Sequence, residues 1–138
     1  MAAPRKFNAF SRDIADKKHN FGSDVFKVML SNTAPISSNS IKTDITEIAA
    51  GFGYVAGGTA TTITESTSAG TYKAVGSTVV FTAAAGSIGP FRYAVLYNDT
   101  SATKALVCWW DNGESITLAA AEAFTIVFDA TNGILQIA

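Results

Sequence analysis

The stretch FRYAVLYNDTSATKALVCWWDNGESITLAAAEAFTIVFDATNGILQIA, residues 91–138, decides the fold class. Short runs of aromatic and β-branched residues alternate there with tight turn signals, Asp111-Asn112-Gly113 and Thr131-Asn132-Gly133 among them. Runs of this length and spacing are typical of antiparallel strands in a sandwich or barrel, and Asn-Gly pairs are typical of hairpin turns. We therefore predict a mainly β fold, an antiparallel sandwich or jelly roll of about eight strands.

The N-terminal end of the chain has a different pattern. Over residues 5–19, Phe7, Phe10 and Ile14 recur at spacings of three and four, which places them on one face of a helix. Further strand patterns then follow, the first of them over residues 24–30. We predict a single domain over residues 1–138, in which residues 1–22 form a helical arm and residues 23–138 form the β-body.

Charge is scarce and unevenly distributed. Charged residues make up 15% of the chain, against about 25% in an average domain. A surface this poor in charge is explained either by cover from other subunits or by a Ser/Thr-rich exterior, and both explanations stay open. Residues 1–20 carry five basic and two acidic side chains, so the remainder of the chain is mildly acidic. A basic arm on an acidic body fits contact between copies or with another anionic partner, or else a solvated helix face.

Trp109 and Trp110 stand next to each other in a strand pattern, so their indoles should point to opposite faces. We expect one indole in the core and the other on the outer face. The outer indole would stack on a sugar, fill a subunit pocket or be shielded by the protein's own loops. Both faces of residues 104–110 are apolar toward the end of the run, which favours a central strand covered on both sides or an outer face buried by assembly.

The sequence contains no residue pattern typical of a catalytic site, a metal site or a disulfide. His19 is its one histidine and Cys108 its one cysteine, so neither a Cys/His metal spacing nor an intrachain disulfide can form. The acids near turns, Asp111, Glu114 and Asp129, are read as turn residues rather than a catalytic pair. We expect no enzymatic activity and no cofactor. We also expect neither a membrane nor nucleic acid as a partner, because the chain lacks a long apolar run and the body lacks a basic stripe.

Four segments resemble a known family when they are taken together. They are HNFGSDVFKVMLSNTAP (19–35), DITEIAAGFGYVAGG (44–58), GSIGPFRYAVLYNDT (86–100) and ITLAAAEAFTIVFDATNGIL (116–135). In this order they resemble small structural proteins encoded by tailed phages. The most specific elements are the strand followed by Asn-Thr-Ala-Pro at Leu30–Pro35 and the closing FDATNGIL at Phe128–Leu135. The resemblance implies a β-sandwich component of the virion, and it supplies no catalytic residues.

From the resemblance we expect a capsid cement, or decoration, protein on the outside of the head, assembled in the host cytoplasm. Its expected partners are further copies of itself and the major capsid protein. The alternative is a tail or fibre component that binds host glycans through an outward tryptophan. The residues predicted to form the interface are Arg5, Lys6, Phe7, Phe10, Arg12, Ile14, Lys17, Trp109 and Trp110.

Overall fold

A computed structural model describes residues 3–138. It contains ten strands, one α-helix and a short 3-10 turn at Lys42–Asp44. In chain order the elements are β1 (Arg5–Lys6), α1 (Asn8–Ala15), β2 (Phe26–Ser31), β3 (Thr59–Thr61), β4 (Ile63–Ser68), β5 (Thr71–Gly76), β6 (Val79–Thr82), β7 (Ile88–Asn98), β8 (Leu106–Leu118), β9 (Ala123–Ile126) and β10 (Leu135–Ile137).

The strands form two layers of antiparallel sheet. The larger layer is a five-stranded sheet in the order β1-β8-β7-β2-β3. The smaller layer contains a three-stranded sheet, β10-β5-β4, and a two-stranded sheet, β6-β9. The main core lies between the layers and includes Phe26, Phe81, Phe91, Trp110 and Ile126. The prediction of a mainly β antiparallel fold with a short helix near the N-terminus is confirmed, with ten strands instead of eight.

A second apolar cluster covers the other face of the five-stranded sheet. It is formed by Phe7, Met29, Ile45, Val95, Tyr97, Leu106 and Trp109. Phe7 comes from the N-terminal segment and Ile45 from the connection between β2 and β3, so irregular chain rather than another sheet covers this face. Residues 94–97 of β7 and 106–110 of β8 are therefore buried on both sides, which explains the continuous apolar sequence of these two stretches.

The helix is shorter than the sequence pattern indicates. A helix was expected over residues 5–19, but α1 spans Asn8–Ala15, and Arg5 and Lys6 instead pair with Trp109 and Cys108 of β8. Phe7 lies between the two elements with extended backbone, at φ −73° and ψ 143°, and its side chain is fully buried. The free energy gained by burying this ring against the sheet exceeds what Arg5 and Lys6 would gain by extending the helix, because their helix propensity is a weak effect.

The signal Asp111-Asn112-Gly113 was expected to make a hairpin turn, and this expectation is wrong. Strand β8 continues through it, and the pairing with β7 moves from Tyr93↔Asp111 to Phe91↔Ile116. The extra residues of β8 therefore form a bulge. The Asp111 carboxylate stabilises it by accepting hydrogen bonds from the Gly113 N–H, at 2.8 Å, and from the Arg92 guanidinium, at 2.8 and 3.2 Å. Residues that favour a hairpin turn form a bulge here instead, because β8 pairs with β7 both before and after them.

Within residues 3–138, none of the helical structure has the length and apolar character that crossing a lipid bilayer requires.

We predict that Phe7→Ala lowers the free energy of unfolding by about 3–5 kcal/mol, because it removes a fully buried ring from the second cluster. Urea denaturation followed by tryptophan fluorescence measures this loss. Arg12→Ala is the matched control in the same segment, since its side chain is exposed, and it should change stability by about 0.5 kcal/mol at most. A similar, small effect of both substitutions would contradict the assigned role of Phe7.

Candidate interaction surface

Four of the residues predicted to form the interface are buried within the chain itself. Phe7 packs on Trp109 with ring centroids 4.5 Å apart, and Phe10 packs edge-on against Phe21 at 6.3 Å. Trp110 meets Phe128 edge-to-face at 5.3 Å on the opposite side of the sheet. The two indoles do point to opposite faces, but the protein's own chain covers both. In this conformation neither indole offers a platform to a sugar ring or a partner.

The predicted basic residues lie on the surface. The side chains of Arg5, Lys6, Arg12 and Lys17 are exposed, and Ile14 is half-buried against the main core. Arg12 pairs with Asp16 at 3.2 Å on the solvent side of α1, an exposed ion pair of little energetic value. These cations remain available for contact with an acidic surface.

A different surface stands out because it lacks charge. Residues 48–64 and 74–91 contain no charged side chain, and residues 115–128 contain only Glu122. The fold brings these three stretches together. The Ala84 N–H donates to the Phe52 carbonyl at 2.9 Å, and Val80 of β6 pairs with Thr125 of β9. We call the surface formed by residues 51–55, 80–86 and 123–127 the uncharged face, at whose border lies the exposed Glu122.

The outer side of the β6-β9 ribbon supplies the flat part of this face. Register pairs Val80 with Thr125 and Thr82 with Ala123, and all four side chains are exposed. Their neighbours in sequence, such as Phe81 and Ile126, point the other way, into the core. Val80 is 48% exposed, and Val127, just beyond β9, is 64% exposed. The outward side of this ribbon is thus a Val/Thr/Ala surface.

Phe52 is the most prominent side chain of the uncharged face. It is 57% exposed and sits at the tip of a tight turn closed by the bridge between Gly51 and Tyr54. Its ring lies over Gly86, where an added Cβ would overlap the ring atoms. A Cβ at Gly53 would likewise overlap the Thr82 carbonyl. Gly53 thus lets the turn approach Thr82, and Gly86 lets the ring pack closely on its backbone, while more than half of the ring stays open to solvent.

Glu47 holds the loop that carries Phe52 and Val55. Its carboxylate accepts hydrogen bonds from the Tyr54 hydroxyl at 2.7 Å and from the Gly57 N–H at 2.6 Å, and it pairs with Lys42 at 3.3 Å. The Tyr54 hydroxyl in turn accepts from the Leu30 N–H of β2 at 3.1 Å. Burial, together with the neighbouring Glu47 carboxylate, raises the pKa of Tyr54, so the hydroxyl stays a donor. This chain of contacts ties the loop to the five-stranded sheet.

Two of the three acids weighed as catalytic candidates, Asp111 and Asp129, are engaged in local hydrogen bonds. Hydrogen bonds from Arg92 and Gly113 lower the pKa of Asp111, and hydrogen bonds from Asn132 and Thr131 lower the pKa of Asp129. Both carboxylates are therefore acceptors that stabilise local backbone. Over residues 3–138 the structure brings no three His, Cys, Asp or Glu side chains together in an arrangement suited to a metal ion.

Sequence reasoning missed the uncharged face, although the signal was present. It lay in the two long stretches without Asp, Glu, Lys, Arg or His, and in the pattern Gly51-Phe52-Gly53, which places one aromatic ring between two flexible residues. What the sequence did not contain was the pairing that puts these stretches side by side.

Comparison of this chain with protein-family models, with curated proteins and with solved structures found no match.

We predict that Glu47→Ala lowers the free energy of unfolding by about 2–3 kcal/mol, because it leaves the buried Tyr54 hydroxyl and the Gly57 N–H without their shared acceptor. Hydrogen exchange should show lost protection at Gly57, whereas amides of β7 keep theirs. Glu114→Ala is the control, since Glu114 is exposed on the bulge of β8. Unchanged protection at Gly57 would show that the loop does not depend on this carboxylate.

Proposed function

We propose that this chain is a structural protein of a tailed-phage virion, a capsid cement protein that binds the outside of the head. Its partners are the major capsid protein and further copies of itself. The observation that carries the proposal is the uncharged face, on which Phe52 is the largest exposed side chain. The family resemblance of residues 19–135 supplies the virion context.

Such a face has the composition of the core of a protein interface. Interface cores are depleted in charged residues, and exposed aromatic side chains that are already fixed in place contribute much of the binding energy. The Phe52 ring already packs closely over Gly86, which limits the side-chain entropy that is lost when a partner covers it. The β6-β9 ribbon beside it offers a rigid Val/Thr/Ala surface for the surrounding contact.

A cement protein also requires many copies of a modest contact. Each copy on a closed shell is held by neighbours as well as by the shell, and linked contacts raise the effective affinity by orders of magnitude. The exposed cations Arg5, Lys6, Arg12 and Lys17 lie on a chain whose remainder is net acidic. Electrostatic contact between the N-terminal segment of one copy and the body of the next supplies the second contact that this arrangement needs.

The alternative, a tail or fibre component that binds host glycans, depended on an outward indole. Trp109 and Trp110 are both covered by the protein itself, so the geometry favours the cement role.

We predict that Phe52→Asp weakens binding to capsids that lack this protein by at least about tenfold, because it places a charge at the aromatic anchor of the uncharged face. Asp tolerates the positive φ of 55° at this position, so the fold should be retained. Ile36→Asp is the matched control, since Ile36 is 62% exposed but lies outside the uncharged face. Binding is measured by co-sedimentation with the particles, and equal binding by both variants would contradict the assigned face.

Location in the particle tests the proposal as a whole. Quantitative mass spectrometry and cryo-electron microscopy of purified virions should find copies of this chain over the whole head, in a number comparable to that of the capsid subunits. A few copies at one vertex would instead assign it to the neck, tail or fibres, and its absence from virions would end the proposal.

A further inference from the structure

The single histidine lies at the joint between the N-terminal segment and the β-body. His19 is buried, and its ring is surrounded by those of Phe10 at 5.3 Å, Phe21 at 6.1 Å and Phe26 at 5.9 Å between centroids. Phe10 belongs to α1 and Phe26 to β2, so the imidazole links the helix to the first strand of the body. A side chain that changes charge near neutral pH occupies an apolar position there.

The orientation of Asn98 determines the tautomer of His19. The Asn98 Oδ1 accepts hydrogen bonds from the N–H groups of Thr100 at 2.9 Å and Ser101 at 3.2 Å. The Nδ2 amide is therefore the group that faces His19 Nδ1, at 3.1 Å. The same Nδ2 has two hydrogens and also lies 2.7 Å from Asp24 Oδ2 and 3.2 Å from the Lys18 carbonyl. Since an amide nitrogen only donates, the tautomer that fits this geometry accepts at Nδ1 and carries its hydrogen on Nε2.

The other ring nitrogen has no partner. Among residues 3–138, Nε2 of His19 is the one buried side-chain nitrogen or oxygen atom without a hydrogen-bond partner. A neutral ring tolerates one unpaired N–H at a modest cost. A charged ring in the same place would keep that unpaired donor and would also carry a buried charge.

Protonation of the ring opposes the observed contacts in a second way. The new hydrogen would be placed on Nδ1, where Asn98 Nδ2 already donates, so two donors would face each other. The nearby carboxylates are committed elsewhere. Asp13 pairs with Lys18 at 3.2 Å, and Asp24 accepts from Asn98 Nδ2 at 2.7 Å and from the Asn20 N–H at 2.9 Å.

The remaining polar groups near the ring give the imidazolium no new partner. Lys17 and Tyr72 line the groove that ends at His19, and the Tyr72 hydroxyl donates to Glu65 at 2.8 Å. Burial lowers the pKa of His19 below its ordinary 6.5; Asp13 and Asp24 oppose this shift and Lys18 adds to it. The unfolded chain thus takes up the proton first as the pH falls through 6.5, so stability decreases from there toward the folded-state pKa.

We propose that His19 is an acid-sensitive latch, and that a proton added to its ring releases the N-terminal segment, residues 3–22, from the β-body. This inference is independent of the proposed function. The segment holds β1 and Phe7 against the sheet at one end and Phe10 and Phe21 in the main core at the other. Loosening the joint therefore weakens both docking points at once.

The chain contains its own reporter of release. Cys108, the one cysteine, lies opposite Lys6 of β1 and is buried, and burial raises the pKa of its thiol to about 12. Ala3 and Pro4 form one wall of a cavity of about 360 Å³ beside this thiol and Trp110. Release of the segment removes that wall and opens the thiol to solvent.

Nuclear magnetic resonance of the ring nitrogens tests the latch in the unaltered protein, since one histidine gives one unambiguous signal. We expect the Nε2–H tautomer near neutral pH and a midpoint of titration below 6.5, the ordinary value. An Nδ1–H tautomer, or a midpoint at or above the ordinary value, would overturn the proposal.

Labelling of Cys108 with a dipyridyl disulfide, which reacts with thiols in acid, tests the release itself. The rate is compared at about pH 5 and about pH 7.5, each normalised to the urea-unfolded chain to remove intrinsic pH effects. We expect acceleration in acid that grows with the gap between the folded and unfolded midpoints and reaches about 30-fold at most at pH 5, about 1.5 pH units below the ordinary value. The Trp110–Phe128 core and the β-sheet circular dichroism should stay intact.

His19→Gln is the matched variant, because its amide oxygen can still accept from Asn98 and it does not titrate. It should label slowly at both pH values. Equal acceleration in this variant, or loss of the sheet signal at the same pH as the thiol becomes reactive, would overturn the latch. Should this variant not fold, His19→Phe, which fills the same aromatic surroundings without a charge, takes its place.

Discussion

Strands β7 and β8 pair along most of their length, and their ribbon is apolar on both sides. Ala94 and Trp110, which face each other in the register, point into the main core, and the next pair, Val95 and Trp109, points into the second cluster. A ribbon of this kind has to be covered twice, because each exposed apolar face would cost the fold much of its stability. The other elements of the structure can be understood by the face of this ribbon that they cover.

The two faces are covered by different means, with different consequences. Smaller sheets cover one face, and they satisfy their own backbone hydrogen bonds. Irregular chain covers the other, and irregular chain needs side chains to satisfy its polar groups. Glu47 meets that need for the loop before β3, and Phe7 supplies the apolar contact of the N-terminal segment. The irregular chain that covers the second cluster is therefore the part of the molecule that single substitutions or protonation can loosen.

This division also explains which residues are free to contact partners. The aromatic residues of the β7-β8 ribbon are used internally, so the strongest interface signals of the sequence, the paired tryptophans, are not on the surface. The outward side of the β6-β9 ribbon and the turn at Phe52 have no such internal task. They form a surface without charge, and depletion of charge is typical of the core of a protein interface. His19 lies at the other end of the N-terminal segment from β1, where it packs on Phe10, Phe21 and Phe26 of the main core.

The sequence by itself determined the fold class, the presence of a strand before the Asn-Thr-Ala-Pro turn and the opposite directions of Trp109 and Trp110, because alternation and turn chemistry are local properties. Only the tertiary structure decided which part of the chain covers each face. In the folded chain Phe7 has extended rather than helical backbone, and Asp111-Asn112-Gly113 forms a bulge within a continuing strand. The tertiary structure also joined residues 51–55, 80–86 and 123–127 into one surface, since contacts between distant strands depend on burial and pairing that no local pattern encodes.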